Sequence, residues 1–255
     1  MSVITPTHGR PRHLELLYQV FASQTHSDKE LLVDDDSPEP NAFMAALDDP
    51  RVRYRHTQGR ATTGAKRARL VAAARGDVVA QFDDDDYYAP DYLAQMLDAL
   101  GGHDLVTLGG WFVFDMKTRG LYYWDSTGVD PVHFRVEAAV APRPIAMQGL
   151  GEHRETWLDE HLWGYGFSYV FRRDLCAVAA FDPELGHGED IALVRAARAA
   201  GKRVRAVPDS RGLVLHVIHS GNMASVFPNY RLPPFLLERL FGEPALRYLD
   251  AAAPP

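Results

Sequence analysis

Four consecutive aspartates at positions 83–86 follow an apolar run at positions 78–82. The run has the composition of a buried strand, so the acids are predicted to lie at a strand end. Two like charges about 4 Å apart repel by roughly 4 kcal/mol at an effective dielectric near 20. A divalent cation relieves that repulsion, and carboxylate oxygens suit Mg²⁺ or Mn²⁺. The alternative is a solvated acidic turn without a ligand.

A second acidic run, Asp34, Asp35 and Asp36, follows the apolar residues 31–33. Segments with strand and helix patterns alternate through residues 1–102, which is typical of βαβ units and a mostly parallel sheet. Ligands of such sheets bind at the carboxyl ends of the strands. Both acidic runs are therefore predicted to contribute to one site.

The second half of the chain has a different pattern. Aromatic β-type runs at 105–114 and 121–124 predict a hairpin, whereas residues 126–160 have weak periodicity and are interpreted as irregular loops or a lid. The predicted fold class is α/β, with a mostly parallel central sheet flanked by helices and a smaller antiparallel region. A Pro-rich tail at 228–255 contains one amphipathic segment at 235–241.

Composition narrows the class of protein. The 255 residues are 46% hydrophobic, and 27 basic against 34 acidic residues give a net charge of −7. This balance argues against sequence-independent nucleic-acid binding, which needs a basic face. Cys176 is alone, so no disulfide framework is expected. With neither a membrane-length apolar stretch nor a leader pattern, we expect a cytoplasmic protein. The segment 235–241 leaves peripheral membrane contact or a homodimer open.

Four motifs resemble those of family 2 inverting glycosyltransferases, which have the Rossmann-like GT-A fold. They are Val-Ile-Thr-Pro-Thr at 3–7, Val-Asp-Asp-Asp-Ser at 33–37, Phe-Asp-Asp-Asp-Asp at 82–86 with Pro-Asp at 90–91, and Gly-Glu-Asp at 188–190. The resemblance implies metal-dependent transfer of a sugar from a nucleoside-diphosphate sugar to an acceptor hydroxyl. It also implies one domain at 1–227, with a nucleotide-sugar half at 1–102 and an acceptor half at 103–227, before the tail.

The resemblance assigns roles at the donor and at the reacting hydroxyl. Asp190 matches the family's catalytic base, with Glu189 as second choice, although both acids also suit helix capping. Asp35 matches the acid that reads the nucleotide base, which favours uracil, and Pro6 and Thr7 would lie beside the base and ribose. The structural alternative for Asp35 is a local turn.

The metal site follows from the same comparison. Asp85 matches the family's direct metal ligand. Either Asp83 or Asp84 matches the acid that contacts the sugar or a metal-bound water. Four acids in a row leave this register ambiguous by one residue. His219 fits best as a further ligand to Mn²⁺ or Mg²⁺, with His216 as the alternative.

Other candidates are less specific. Lys66 either meets the donor diphosphate or holds the acids of the sheet edge. Trp111, Trp163 and Tyr165 are candidates for an acceptor platform, since sugar C–H faces pack on aromatic rings. The acceptor itself is left open among a glycan, a lipid-linked sugar, a small molecule and a peptide.

Two other functions remain as alternatives. One is a sugar nucleotidyltransferase of related architecture, and the other is a non-catalytic nucleotide-sugar-binding protein. Nucleotidyltransferases usually have a Gly-rich phosphate loop after the first strand, but residues 5–10 here contain a single glycine. A non-catalytic relative would be expected to lack Asp190 or Asp85, and both are present.

Overall fold

The structure is a computed structural model that describes residues 1–138, 140–147, 150–222 and 225–253. The chain forms two compact units. Unit 1 comprises Met1–Asp84, Pro90–Thr107 and Trp163–Ala206, and unit 2 comprises Asp85–Ala89, Leu108–Leu162 and Val207–Pro255. The segments of the two units alternate along the chain.

The described strands in chain order are β1 (Ser2–Thr7), β2 (Glu30–Asp35), β3 (Val52–His56), β4 (Val78–Gln81), β5 (Tyr87–Tyr88), β6 (Leu105–Asp115), β7 (Gly120–Asp125), β8 (Val132–Arg135), β9 (Arg143–Ala146), β10 (Val170–Arg172), β11 (Val204–Pro208), β12 (Val214–Ile218) and β13 (Tyr230–Leu232). The described α-helices are α1 (Pro11–Ser23), α2 (Ala42–Ala46), α3 (Thr63–Ala73), α4 (Tyr92–Leu100), α5 (Arg154–Trp163), α6 (Glu189–Ala199) and α7 (Phe235–Ala252). Short 3₁₀ helices span Gly151–His153, Gly166–Ser168 and Arg173–Ala177.

In unit 1 the sheet begins with parallel neighbours in the order β3, β2, β1 and β4. Strand β10 then pairs antiparallel with β4 and with the first residues of β6. Apolar side chains of α3 and α6 pack on this sheet, so that Leu70, Leu193 and Phe171 belong to one buried cluster. The strands are apolar on both faces because helices cover them. This packing fixes the carboxyl ends of β1, β2 and β4.

In unit 2 the end of β6 pairs antiparallel with β7 and parallel with β12. Strand β13 pairs with β7, and β5 pairs with β12, both antiparallel. Trp111 and Trp124 are fully buried, with ring centroids 4.9 Å apart. Strands β8 and β9 form a separate two-stranded antiparallel sheet.

Two regions differ from the sequence-based expectation. Residues 126–160 contain β8, β9 and most of α5 rather than only irregular loops, apart from positions 139, 148 and 149, which lie outside the described residues. No residue of α5 is buried, and three of the four β9 residues are exposed, so neither element has the apolar periodicity that sequence reading relies on.

The C-terminal segment is the second difference. It forms β13 and α7, whose Leu237, Phe241 and Leu249 are buried, while positions 254 and 255 lie outside the described residues. Helix α7 is interrupted at Gly242, which has a positive φ of 68°, and Pro244 follows at the start of the second helical segment. Pro244 therefore lies at a kink within α7, and Pro233 and Pro234 directly precede the helix.

Within the described residues, no helix combines the length and the apolar character that crossing a bilayer requires.

Candidate active site

The first acidic run lies where β1 and β2 end side by side. Pro6 pairs with Asp34 and Thr7 pairs with Asp35 across the parallel ladder. Thr7 and Asp35 are both buried, and Pro6 is partly exposed. The alternation of side chains along a strand sends Asp34 and Asp35 to opposite faces of the sheet. Accordingly, Asp34 accepts a hydrogen bond from Arg69 Nε of α3 at 2.8 Å, while Asp35 contacts other partners.

Asp35 is held in a local turn. Its Oδ1 accepts hydrogen bonds from the backbone N–H and the hydroxyl of Ser37, and its Oδ2 accepts one from the Tyr54 hydroxyl at 2.7 Å. Burial together with the neighbouring Asp35 raises the pKa of Tyr54 to about 12, so this hydroxyl remains a donor. A carboxylate has about four acceptor positions, so the turn and recognition of a base are compatible.

Lys66 contacts one acid of the sheet edge, Asp36. Its Nζ lies 2.8 Å from Asp36 Oδ1 and 2.9 Å from the backbone oxygen of Thr7. Burial opposes ionisation of Asp36, but a hydrogen bond from the Ala61 N–H and the contacts with Lys66 and His8 lower its pKa. Lys66 is therefore a buried ion-pair partner in this structure.

The second acidic run divides into four environments. In unit 1, Asp84 accepts a hydrogen bond from the Thr7 hydroxyl and one from Arg10 Nη1 at 2.7 Å, and it is 4% exposed. The Asp83 side chain is 34% exposed and lies 3.5 Å from Arg67 Nη2. Of the two acids expected on the sugar side, Asp83 is thus the more accessible.

In unit 2, the remaining two acids pair with the two candidate histidines. Asp86 lies 2.8 Å from His216 Nδ1 and accepts the Val217 N–H at 2.9 Å. Burial raises the pKa of Asp86, and His216 opposes this. Asp85 Oδ2 lies 3.0 Å from His219 Nε2. His216 is therefore engaged with the more deeply buried acid, and His219 with the acid predicted to bind metal.

The donor set of this run suits a hard divalent cation. Within residues 83–86, one carboxylate oxygen each of Asp83, Asp85 and Asp86 lies within 4.8 Å of the others. His219 fits less simply. The Gly221 N–H donates to His219 Nδ1 at 3.0 Å, so a neutral ring carries its proton on Nε2, facing Asp85. Metal binding through Nε2 would require that contact to open.

The predicted base lies at the first turn of α6, where helix geometry favours negative charge. Gly188 precedes the helix with a φ of 77°, a conformation that favours glycine. Arg67 Nη1 donates to Asp190 Oδ1 and also contacts Glu189 Oε1 at 2.6 Å. Burial and the adjacent Asp190 raise the pKa of Glu189, and Arg67 opposes the shift. Burial alone would lower the pKa of Arg67, but its acidic neighbours outweigh burial and raise it.

Two residues that sequence analysis did not select complete the surroundings of Asp190. Gln81 Nε2 lies 3.3 Å from Asp190 Oδ1 and also donates to the backbone oxygen of Gly166. A Cβ on Gly166 would overlap the Asp190 carboxylate. The signal for Gln81 was present, because it is the one polar residue in the buried strand Val78–Gln81. The absence of a side chain at Gly166 therefore allows the Asp190 carboxylate to approach closely.

The aromatic acceptor candidates fall into two groups. The complete burial of Trp111 in unit 2 argues against a role as an acceptor platform, because its ring packs in the core. Trp163 and Tyr165 are partly exposed in unit 1, and Arg198 lies 5.8 Å from the Trp163 ring centroid. A surface near the β8–β9 hairpin was missed: Trp157 stacks on His161 in unit 2 at a centroid distance of 4.1 Å.

Solved structures resemble this fold. S. aureus TarS 1-349 in complex with UDP-GlcNAc matches with a TM-score of 0.60 and 17% identity, covering 98% of this chain and 72% of that one. The complex of the same protein with UDP matches with a TM-score of 0.56 and 18% identity, covering 85% and 60%. At these identities the likeness concerns the fold alone. It confirms the predicted α/β GT-A class.

The family is settled by sequence. The family model described as glycosyl transferase family 2 matches residues 2–169, so the chain belongs to that family and carries a glycosyltransferase domain. Both statements confirm the sequence-based prediction.

Two relatives agree with that assignment. The chain is 31% identical over 202 residues to the succinoglycan biosynthesis protein ExoO of Rhizobium meliloti (strain 1021), covering 77% of this chain and 54% of that protein. It is 27% identical over 101 residues to the putative colanic acid biosynthesis glycosyl transferase WcaA of Escherichia coli (strain K12), covering 38% and 36%. The chain thus spans about half the length of ExoO and about a third of the length of WcaA.

Proposed function

We propose that this chain transfers a sugar from a nucleoside-diphosphate sugar to an acceptor hydroxyl, with inversion at the anomeric carbon and Asp190 as the general base. One observation supports this most directly. In a chain of glycosyl transferase family 2, Asp190 begins a helix with its Oδ1 tied to Arg67 and Gln81, and no described residue donates a hydrogen bond to Oδ2. Its side chain is 13% exposed, so an acceptor hydroxyl can reach it.

The proposed chemistry requires one proton acceptor and one leaving group. Asp190 removes the proton of the acceptor hydroxyl, which lies about 3 Å away in the reactive complex. The hydroxyl oxygen forms the new bond to the anomeric carbon from the face opposite the diphosphate. The bond between that carbon and the diphosphate oxygen breaks, and its electron pair leaves with the nucleoside diphosphate. Attack from the opposite face inverts the configuration.

On the donor side, we propose that Asp35 accepts the imide N–H of uracil beside Pro6 and Thr7, and that Asp83 contacts the sugar. The exposure of Asp83 favours it over Asp84, whose oxygens are engaged with Thr7 and Arg10. Complexes of S. aureus TarS with UDP and UDP-GlcNAc make a UDP-sugar the first donor to examine.

Asp85, with Asp83 beside it, would hold a Mg²⁺ or Mn²⁺ ion, because the carboxylate oxygens of this run fit a hard cation. When bound, such an ion would supply Lewis-acid stabilisation of the departing diphosphate. His219 has one of two roles: ligand through Nε2, or hydrogen-bond donor that orients Asp85. The Gly221 contact at Nδ1 favours the second role.

The nucleotidyltransferase alternative is disfavoured by the first loop. The hydroxyl of Thr7, the last residue of β1, and the guanidinium of Arg10, which follows the strand, both contact Asp84. A phosphate-binding loop would instead leave its cations directed at the nucleotide. For the acceptor, the names of the two relatives favour a sugar hydroxyl of a growing glycan or lipid-linked sugar over a peptide or small molecule.

A thermal-shift screen of UDP, GDP and dTDP, each with and without Mn²⁺, tests the donor class. At about 100 times Kd a ligand adds about 2.7 kcal/mol to stability. Since 1 kcal/mol shifts Tm by about 2–4 °C in a chain of this size, we expect UDP with Mn²⁺ to raise Tm by about 5–11 °C. Asp85→Ala should lose the metal-dependent rise.

Asp77→Ala is the matched control, because this exposed acid precedes β4 at its opposite end. It should retain the wild-type shift. A chain whose Tm responds to none of the three nucleotides with metal would contradict the donor proposal. A full metal-dependent shift in Asp85→Ala would contradict the ligand assignment.

A further inference from the structure

Arg67 connects three acids that lie far apart in sequence. It belongs to α3 and is 4% exposed. Its Nη1 contacts Glu189 and Asp190 at the start of α6, and its Nη2 lies 3.5 Å from Asp83 after β4. One guanidinium thus bridges the predicted base and the acid on the donor side of unit 1.

The geometry of these contacts is specific to arginine. Its planar fork presents two Nη groups in fixed directions, whereas a lysine ammonium is a compact point charge on a flexible stem. The three acids and Arg67 carry a net charge of −2 if all of them are ionised. Burial makes that excess costly, so the single cation strongly determines where each carboxylate lies.

The contacts on Asp190 are all on one oxygen. Both Arg67 and Gln81 contact Oδ1, and no described residue donates to Oδ2. Gly166 supplies the space that the carboxylate fills, since a Cβ there would overlap it. The carboxylate is therefore held in one orientation, with Oδ2 left to accept a proton.

We infer that Arg67 is a positioning residue for catalysis. It fixes Oδ1 of Asp190 so that Oδ2 faces the acceptor hydroxyl, and it holds Asp190 in a fixed position relative to Asp83. This inference rests on the proposed role of Asp190. Arg67 contacts neither donor nor acceptor in this account, and it acts through the base. Among the described residues, the charged groups that face Asp190 are Arg67 from α3 and Glu189 from its own helix, and the neutral side chain of Gln81 faces it from β4.

Arg67→Lys and Arg67→Gln test the inference by steady-state transfer kinetics and calorimetric UDP binding. A misplaced catalytic group costs on the order of 100-fold, so kcat should fall by about 100-fold in Arg67→Gln and less in Arg67→Lys. Donor KM and UDP affinity should stay within about threefold, as expected for loss of a transition-state interaction. Loss of a neighbouring cation favours the protonated form of a carboxylate. In a plot of kcat against pH, the acid limb should therefore move to higher pH in Arg67→Gln.

Arg69→Lys is the matched control, two residues away on α3, where Arg69 pairs with Asp34 on the opposite face of β2 from Asp35. It should keep the wild-type kcat and pH profile. Should Arg67→Gln fail to fold, Gly166→Ala decides the question, because it displaces the carboxylate while Arg67 remains. It should lower kcat and leave UDP binding within about threefold.

The outcomes separate the two proposals. Full turnover by Asp190→Asn would overturn the base assignment. If Asp190→Asn is inactive while Arg67→Gln has the wild-type kcat and acid limb, the positioning role of Arg67 is overturned. Wild-type kcat in a folded Gly166→Ala variant would overturn it as well. An equal loss of UDP affinity and kcat in Arg67→Gln would assign Arg67 to donor binding instead.

Discussion

At the scale of the residue, four identical side chains in a row have four different surroundings. The carboxylates at 83–86 have the following partners: Arg67 for Asp83, Thr7 and Arg10 for Asp84, His219 for Asp85 and His216 for Asp86. The four carboxylates are therefore distinguished by their contacts. Asp84, Asp85 and Asp86 are all buried and have partners within the protein, whereas Asp83 is partly exposed. In the proposed function, Asp83 contacts the donor sugar and Asp85 binds the cation.

The buried pair of Lys66 and Asp36 provides a stability test. Removing one partner of a buried ion pair costs about 3–5 kcal/mol, because the other charge stays buried. Lys66→Met should therefore lower Tm by about 6–20 °C at about 2–4 °C per kcal/mol. The double variant Lys66→Met/Asp36→Asn should regain most of the loss, since no uncompensated charge remains. Calorimetric melts check both, and a double variant no more stable than the single one would contradict this account.

At the scale of the element, helix and strand ends do most of the positioning. β1, β2 and β4 run parallel, so the side chains that follow them lie at one edge of the unit 1 sheet. Helix α3 packs on that sheet and places Lys66, Arg67 and Arg69 against different acids: Lys66 contacts Asp36, Arg69 contacts Asp34, and Arg67 contacts Asp83, Glu189 and Asp190. Consecutive helical residues differ by about 100°, which explains how neighbours on one helix reach separate partners.

Helix α5 carries a pH-dependent contact in unit 2. Burial lowers the pKa of His161, which stacks on Trp157, although nearby Glu160 acts in the opposite direction and His133 in the same one. Because the folded pKa lies below the unfolded value of about 6.5, the unfolded chain binds more protons in that window. The contribution of His161 to stability should be complete above pH 6.5 and decline as pH falls below it.

Urea unfolding of wild type and His161→Phe between pH 5 and pH 8 measures this effect. Phenylalanine keeps an aromatic ring against Trp157 but cannot be protonated. The difference in unfolding free energy between the two proteins should shift in favour of the variant as pH falls. A constant difference across the range would show that His161 is not the source of the pH dependence.

At the scale of the whole molecule, the sequence predicts unit 1 far better than the ends of unit 2. The apolar strands followed by acids and the Gly-Glu-Asp start of α6 combine local pattern with a family motif. The β8–β9 hairpin and α5 bury little, so no periodicity indicates them. Contacts such as Arg67 with Asp190 span 123 positions and depend on tertiary packing, which no local pattern encodes.

The C-terminal helix belongs to the folded body of unit 2. Leu237, Phe241, Tyr248 and Leu249 are buried, and the Phe241 ring lies 5.4 Å from that of Phe112. Each buried side chain of this kind contributes about 1.5–3 kcal/mol, so four contribute roughly 6–12 kcal/mol. That is comparable with the whole stability of a typical domain, about 5–15 kcal/mol.

A chain truncated after residue 227 should therefore lose the fold of unit 2, as measured by near-UV circular dichroism and limited proteolysis. Phe235→Ser is the control within the same helix, because Phe235 is 67% exposed. It should melt within about 2 °C of the wild type, as surface substitutions usually change stability by less than 0.5 kcal/mol. A truncated chain with native spectra and protease resistance would contradict the packing role of α7.

The central claim concerns which carboxylate accepts the proton, and a comparison of Asp190→Asn with Glu189→Gln tests it most directly. Single-turnover transfer from a UDP-sugar is measured for both, alongside UDP binding in the presence of Mn²⁺. We predict that Asp190→Asn binds UDP like the wild type and loses transfer by at least about 100-fold, the lower range for a general base. We predict that Glu189→Gln retains the larger share of activity. Transfer at the wild-type rate by Asp190→Asn would contradict the account.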